Sequence, residues 1–328
     1  MAEETDGLID RVLGAPRIMT RSEVAEIAGM TLEDARQYWR AMGFADVGES
    51  RAFTERDLEA LKAVHRLVST GVLKRSEALE VVRSLGQNTA RMAEWQTGTL
   101  ARLLASQREI PNDTAMAEEH VAKVAELTAA LLPSLEEMLV YAWRRQLAAA
   151  IQRNFDTAGS DDSAEAGLQC VGFADLVGFT RLTRRLPEQR LADLVTSFEA
   201  DSADVVAATG ARLIKTLGDE VMFVAEDPQH AVETAFGLHD AHGEGEDVPQ
   251  LRVGLSFGEV VTRMGDVYGS TVNLASRLTA LARPGSTLTD DACAKELLGN
   301  PNYVVRALRP RALRGLGLVR AWSVQRAR

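Results

Sequence analysis

The spacing of apolar residues changes character once along this chain of 328 residues, and the change limits what it can fold into. Up to about residue 155 the apolar side chains recur three and four apart, the period of a helix that buries one face. Next comes the stretch 156–167, Asp-Thr-Ala-Gly-Ser-Asp-Asp-Ser-Ala-Glu-Ala-Gly, small and acidic and without periodicity. Beyond it, short apolar runs of strand length alternate with amphipathic helices. One period cannot serve both halves, so the expected organisation is a helical domain over 1–156 ending in a long connecting helix, a linker over 157–167, and an α+β domain over 168–328. The length suits two domains.

Composition narrows the function classes. Hydrophobic residues make up 46% and charged residues 26%, as in globular proteins that bury ordinary cores. The net charge of −10 argues against non-specific binding to nucleic acid or to an anionic membrane. Cys170 and Cys293, the two cysteines, belong to no metal-binding spacing and are expected as reduced, buried thiols. No apolar run approaches the roughly 20 residues that span a bilayer. The acidic start, Met-Ala-Glu-Glu-Thr-Asp, is unlike a signal peptide, so the expected place is the cytoplasm.

In the helical half, Arg21 to Ala28 reads as a short helix, Gly29-Met30-Thr31 as a break, and Leu32 to Met42 as a second helix. A loop with Gly43, Gly48 and Ser50 follows, and Thr54 caps a third helix. This is the layout of a helix-turn-helix unit, and it resembles the winged version in MerR-type regulators. The helix that would enter a groove carries Glu33, Asp34, Arg36 and Arg40, with no net charge, whereas a duplex reader needs a basic face. The expected use is therefore a helical scaffold for packing or regulation rather than DNA binding. Further on, Val121, Val124, Leu127, Leu131, Leu135, Leu139, Trp143, Leu147 and Ile151 form an apolar stripe that can serve as core, dimer seam or lipid pocket, with core or dimer seam expected. Pro133 is expected to open a new helix there, because proline suits a first turn.

In the second half, Gln169–Leu176 reads as a buried strand and Glu188–Ala208 as a helix. Ala211–Leu217 and Glu220–Ala225 read as strands joined at Gly218-Asp219. A helix over Gln229–His242 and a strand over Leu251–Phe257 complete a βαββαβ order, that of a ferredoxin-like palm. Helices at Thr271–Leu281 and Asp291–Leu298 are expected to precede two C-terminal strands.

Two aspartates stand out against this pattern. Asp175 ends the first palm strand and Asp219 sits in the hairpin turn. In the palm order the two strands can lie side by side and bring both carboxylates to one point. Hard oxygen ligands of this kind suit Mg²⁺ or Mn²⁺, completed by substrate phosphates. Taken singly, each aspartate reads as a turn former or helix cap. Gly178, Phe179 and Thr180 lead from Asp175 toward a helix whose free amides can cradle phosphate. Asn273 and Arg277, four apart on one helix, have the plain alternative of a polar surface stripe.

The motifs carry a family resemblance. Phe173-x-Asp175-x-x-Gly178-Phe179-Thr180, Lys215-Thr-x-Gly-Asp219 and Asp266-Val-Tyr-Gly269-x-x-Val-Asn273-x-Ala-x-Arg277 resemble, in order and spacing, the three signature motifs of class III nucleotidyl cyclases. The resemblance covers 168–328. It implies that Asp175 and Asp219 bind two divalent ions per site, and that Lys215 and Asp266 read the purine. Asn273 is implied to orient the ribose, and Arg277 to stabilise charge on the α-phosphate. Arg252 takes the place of an arginine for the terminal phosphates, and Arg314 that of a phosphate-contacting lysine. A lysine donor with an aspartate acceptor suits adenine, so the implied substrate is ATP and the implied product cyclic AMP. The family builds each site between two catalytic domains, and this chain carries both half-sets, which implies a homodimer.

The helical half resembles, less specifically, the autoregulatory domain of bacterial pH-sensing adenylyl cyclases, some of which bind fatty acid. None of His65, His120, His230, His239 and His242 sits in a motif that marks a pH switch. Two rival readings are weaker. A diguanylate cyclase shares the palm but lacks the third motif. A DNA-binding regulator with an inactive cyclase domain would not need the full catalytic set.

Overall fold

The computed structural model describes residues 2–105, 114–157, 166–242, 249–263, 265–313 and 315–327. They form two compact units, Met1–Ala149 and Ala150–Arg328.

The first unit is helical: α1 (Ala2–Leu13), α2 (Arg21–Ile27), α3 (Leu32–Met42), α4 (Glu55–Ser69), α5 (Arg75–Ala105) and most of α6 (Thr114–Thr157). Local chemistry sets the boundaries of the expected helix-turn-helix unit. Thr20 and Glu23 form a capping box ahead of α2, Thr31 caps α3, and Thr54 with Asp57 forms a second box ahead of α4. Each such cap is worth about 1 kcal/mol. Val24, Ala35, Trp39, Phe53, Leu61 and Val82 meet in one core, with the Trp39 and Phe53 rings 4.6 Å apart.

Helix α6 departs from expectation at Pro133. It runs unbroken through Pro133 rather than restarting there. Proline lacks the amide and crowds the carbonyl four residues back, at about 3 kcal/mol, but the long helical segments on either side carry the turn across. Of the two expectations for the stripe, core within the chain does not fit its exposed members, and the dimer seam stays open. Leu131, Leu139, Trp143, Leu147 and Ile151 are exposed, Trp143 by 55%. Val121 and Val124 lie outside the described side chains.

The second unit is built on a sheet. Its elements are β1 (Ala166–Leu176), α7 (Phe179–Leu182), α8 (Glu188–Ala208), β2 (Arg212–Leu217), β3 (Glu220–Ala225), α9 (Pro228–His242), β4 (Leu251–Arg263), β5 (Asp266–Tyr268), α10 (Ser270–Leu281), β6 (Ser286–Thr289), α11 (Asp291–Leu297), β7 (Tyr303–Ala307), β8 (Arg311–Leu313), β9 (Gly317–Val319) and β10 (Trp322–Arg326). The strand order is β2-β3-β1-β4-β6-β10-β7, with β5 on the far end of β4 and β8–β9 as a separate hairpin. The segment β2-β3-β1-β4 is the expected palm, antiparallel throughout.

Three expectations need correction here. β1 starts at Ala166, ahead of the expected Gln169. β4 runs on to Arg263 because its far half pairs with the start of β1. The C-terminal region adds more than two strands: β6 pairs parallel with β4, and β10 with β6 and β7. Four residues such as Ser-Thr-Leu-Thr are too short to show a period in sequence.

Alternation along the strands sorts the core into two layers. Cys170, Ala174, Phe223 and Val253 face α8, α9 and α11, while Val171, Phe173, Met222 and Val224 face α10. Both cysteines are free and buried in the first layer. Helix α10 lies close on β4 because Gly254 has no side chain. A Cβ there would stand 2.2 Å from the backbone nitrogen of Thr279. Among the described residues, no helix is long and apolar enough to cross a membrane.

Candidate active site

The sheet face beneath α10 collects the charged residues. Asp175, the last but one residue of β1, lies opposite Glu220 of β3 and Arg252 of β4. Residues opposed across a ladder share a face, so the three side chains stand in a row across the strands. The backbone fixes the fourth member: the Leu176 amide donates to the Asp219 carbonyl at 3.0 Å, which holds the β2–β3 turn against the end of β1. The expected convergence of Asp175 and Asp219 is met.

Their electrostatics follow from crowding. Burial, and then the charge of Asp175, push the Asp219 carboxyl above its ordinary pKa. Burial and the same two carboxylates raise Glu220 as well. Arg252 offsets part of this. Its Nε donates to Asp175 Oδ2 at 2.6 Å, and an Nη closes a second contact on the same oxygen. The structure thus seats the arginine expected at terminal phosphates on one of the aspartates expected to bind metal. Glu220 was missed in sequence, although its position directly after Asp219 puts it on the face of Asp175 by strand alternation.

A second group forms between β2 and β5. Lys215 Nζ donates to Asp266 Oδ2 at 2.5 Å, joining residues 51 apart in sequence. Burial alone would raise Asp266. The hydrogen bonds from Lys215 and from the Val267 amide outweigh it and hold the carboxyl below its usual range. Both side chains keep partial access to solvent, 35% for Lys215 and 27% for Asp266. Thr216, next to Lys215, donates to Glu199 of α8 at 2.6 Å and so ties β2 to its helix.

Asn273 and Arg277 sit four residues apart on the exposed face of α10, while Ala275, Leu278 and Thr279 face the sheet. Neither side chain has a hydrogen-bond or ion-pair partner among the described residues. The hydrogen bonds therefore gather the expected site into two separate groups, with the two α10 residues joined to neither.

Comparison with known proteins interprets this arrangement. The sequence model of the adenylate and guanylate cyclase catalytic domain matches residues 163–325, which takes in every residue named above from Asp175 to Arg277. An adenylate cyclase of Streptomyces coelicolor is 46% identical over an alignment covering 99% of this chain and 90% of that protein. The chain belongs to the adenylate and guanylate cyclase family. An adenylate cyclase of Streptomyces griseus is 49% identical over 88% of this chain and 70% of its own length. A pH-sensitive adenylate cyclase of Mycobacterium tuberculosis is 32% identical over 93% of this chain and 77% of its own length. These alignments extend through the helical half, so the likeness to the cyclases is not confined to the catalytic domain.

The remaining positions of the cyclase domain are less uniform. Gly178 takes a left-handed conformation, φ 79°, which turns the chain from β1 into α7. Phe179 packs against the core and Thr180 is exposed. Helix α7 is a single turn of four residues. Arg314 lies outside the described residues. No group of three or more His, Cys, Asp or Glu side chains among the described residues is arranged to hold a metal, so the candidate donors are the pair Asp175 and Asp219. A pair suits magnesium, which keeps several waters and takes substrate phosphates as further ligands.

In the helical unit, Arg36 and Arg40 of the supposed recognition helix line a cavity of about 430 Å³ with Trp39, Phe44 and Phe53. Of the histidines, His239 and His242 are pressed toward the neutral form by burial. The His120 side chain lies outside the described set.

Proposed function

We propose that the chain converts ATP to 3′,5′-cyclic AMP and pyrophosphate in sites assembled from two copies. The observation that carries this reading is the Lys215–Asp266 pair, held at 2.5 Å and still open to solvent. The ammonium offers only donors and the carboxylate only acceptors. Adenine presents the matching edge, an acceptor at N1 and a donor at its exocyclic amine. Guanine presents the reverse. An entering adenine exchanges the ion pair for one hydrogen bond to each partner.

The reaction forms a bond from the ribose 3′-oxygen to the α-phosphorus and breaks the bond to the oxygen that leaves with pyrophosphate. The 3′-hydroxyl proton passes to solvent. Magnesium or manganese held by Asp175 and Asp219 would acidify that hydroxyl and neutralise the phosphates. Asn273 orients the ribose. Arg277 stabilises the charge that develops around the α-phosphate, and its exposed guanidinium, with no partner among the described residues, is available for that role. Arg252 and Arg314 hold the terminal phosphates, with the amides near Gly178, Phe179 and Thr180.

A homodimer fits the resemblance of these motifs to class III cyclases, which build each site between two catalytic domains. One copy contributes Asp175 and Asp219, and the other Lys215, Asp266, Asn273 and Arg277. The helical half then acts as a regulatory domain, its lever the helix α6 that runs directly into the catalytic unit. The exposed stripe on α6 fits a contact with a second copy.

The test is to incubate the purified chain with ATP and Mn²⁺ and to follow cyclic AMP. Asp175→Ala and Asp219→Ala are expected to lose at least about 100-fold in turnover while remaining folded. Full turnover in either variant would sink the assignment.

A further inference from the structure

One of the two residues that should hold metal, Asp175, is already engaged by a cation of the chain's own. Arg252 places two nitrogens on Asp175 Oδ2, one of them Nε at 2.6 Å, and its third nitrogen reaches toward the Ala280 carbonyl at 3.5 Å. The pairing is set by the ladder rather than by loose side-chain packing, because Asp175 and Arg252 are opposite residues of β1 and β4. Asp175 is only 12% exposed, so few other partners reach it. Glu220 stands directly across on the other side. Arg252 thus bonds Asp175 and offsets through space the charge of Asp219 and Glu220 beside it.

We propose that Arg252 is the resident counter-ion of the metal site, and that metal and triphosphate displace it from Asp175 together. The inference rests on the reading of Asp175 as a metal ligand. A divalent ion arriving alone must compete with the guanidinium for the same carboxylate oxygen. A triphosphate arriving with it offers Arg252 a new anion, and the arginine changes partner without losing its ion pair. Metal and nucleotide then bind each other's complexes more tightly than either binds the free protein, and the coupling is reciprocal. Arg252 is a positioning residue in this scheme, holding the metal site closed until substrate is present. The same contact keeps the crowded carboxylates from repelling one another before metal arrives.

Manganese titration of the full chain, followed by electron paramagnetic resonance of the free ion, tests this apart from turnover. Without nucleotide, Arg252→Gln and Arg252→Met are each expected to bind Mn²⁺ about fivefold more tightly than the native chain, the loss of one partly exposed ion pair. Arg252→Lys keeps the competing charge and is expected to stay near the native value. Adding 3′-deoxy-ATP, which cannot cyclise, should tighten manganese binding to the native chain and leave the two neutral variants nearly unmoved, after subtraction of ion held by free nucleotide. Circular dichroism identifies a variant that fails to fold, and the other neutral variant then stands in its place. Manganese affinity unchanged or weakened in folded neutral variants, together with weakened binding in Asp175→Asn, would overturn the proposal and leave the metal site intact. Binding indifferent to both Asp175→Asn and Asp219→Asn would instead remove the metal assignment, and the proposal with it.

Discussion

Asp219 shows what the crowding at the β2–β3 turn costs. Its carboxyl titrates above the ordinary range because burial and the neighbouring Asp175 disfavour its charge. The sign follows directly. Stability from this group is present while it is protonated, below the usual carboxylate range, and is lost as pH rises through its raised value. At neutral pH in a chelator the ionised side chain is a net cost. Asp219→Asn is therefore expected to raise the melting temperature of the metal-free protein by a few degrees and to abolish cyclic AMP formation. A variant that melts lower than the native chain in chelator would contradict this account. Base choice belongs to the same scale. Lys215→Glu with Asp266→Cys reverses the donor and acceptor pattern, and the kcat/KM ratio of ATP over GTP is expected to fall by at least about tenfold, one lost discriminating contact. An unchanged ratio in the folded double variant would show that these side chains do not read the base. The residues themselves were legible because each motif is short and local. The pairing of Arg252 with Asp175 was not, because it depends on a strand register that brings together residues 77 apart.

Among the elements, α10 depends most on close approach. The missing side chain at Gly254 lets its backbone meet β4, and Thr279 donates across to the Phe173 carbonyl at 3.2 Å. Gly254→Ala is expected to cost about 1–3 kcal/mol in chemical denaturation, since the helix must move to admit the methyl. It should also reduce turnover, because Asn273 and Arg277 ride on that helix. A variant as stable and as active as the native chain would mean that α10 is free to shift. The palm order was readable from strand alternation and from the glycine-aspartate turn. The additional strands β6, β8 and β9 were not, being three or four residues each. Nor was the unbroken course of α6, because proline is a strong local break signal that the surrounding helix overrides. The face of α6 also escaped the sequence, since one apolar period serves a buried helix and an exposed one alike. If the stripe is a seam, Trp143→Glu should shift sedimentation of the full chain toward monomer and lower turnover at dilute concentrations. Unaltered association would assign the stripe another role.

For the whole molecule, pH enters through the buried histidines. His242 packs against Phe198, with ring centroids 5.1 Å apart, and lies 3.4 Å from Ser202 Oγ. Burial holds it and His239 toward the neutral form. Unfolding frees such a ring to protonate near pH 6.5. Its contribution to stability is therefore present above about pH 6.5 and is lost as pH falls below that value. His242→Gln is expected to melt below the native chain at pH 7.5, with the gap narrowing by pH 5.5. A gap that stays constant would remove this histidine from the acid response. The central claim concerns the assembly, that Asp175 and Arg277 serve one reaction from different copies. Asp175→Ala and Arg277→Ala are each expected to be nearly inactive alone. In a mixed dimer one site receives both defects and the other receives none. The direct measurement is the turnover of mixed dimers, co-expressed with two tags and purified through both. Recovery to about half the native activity per dimer is the predicted result. Mixed dimers as inactive as their parents would show that both residues act within one chain, contrary to the shared site.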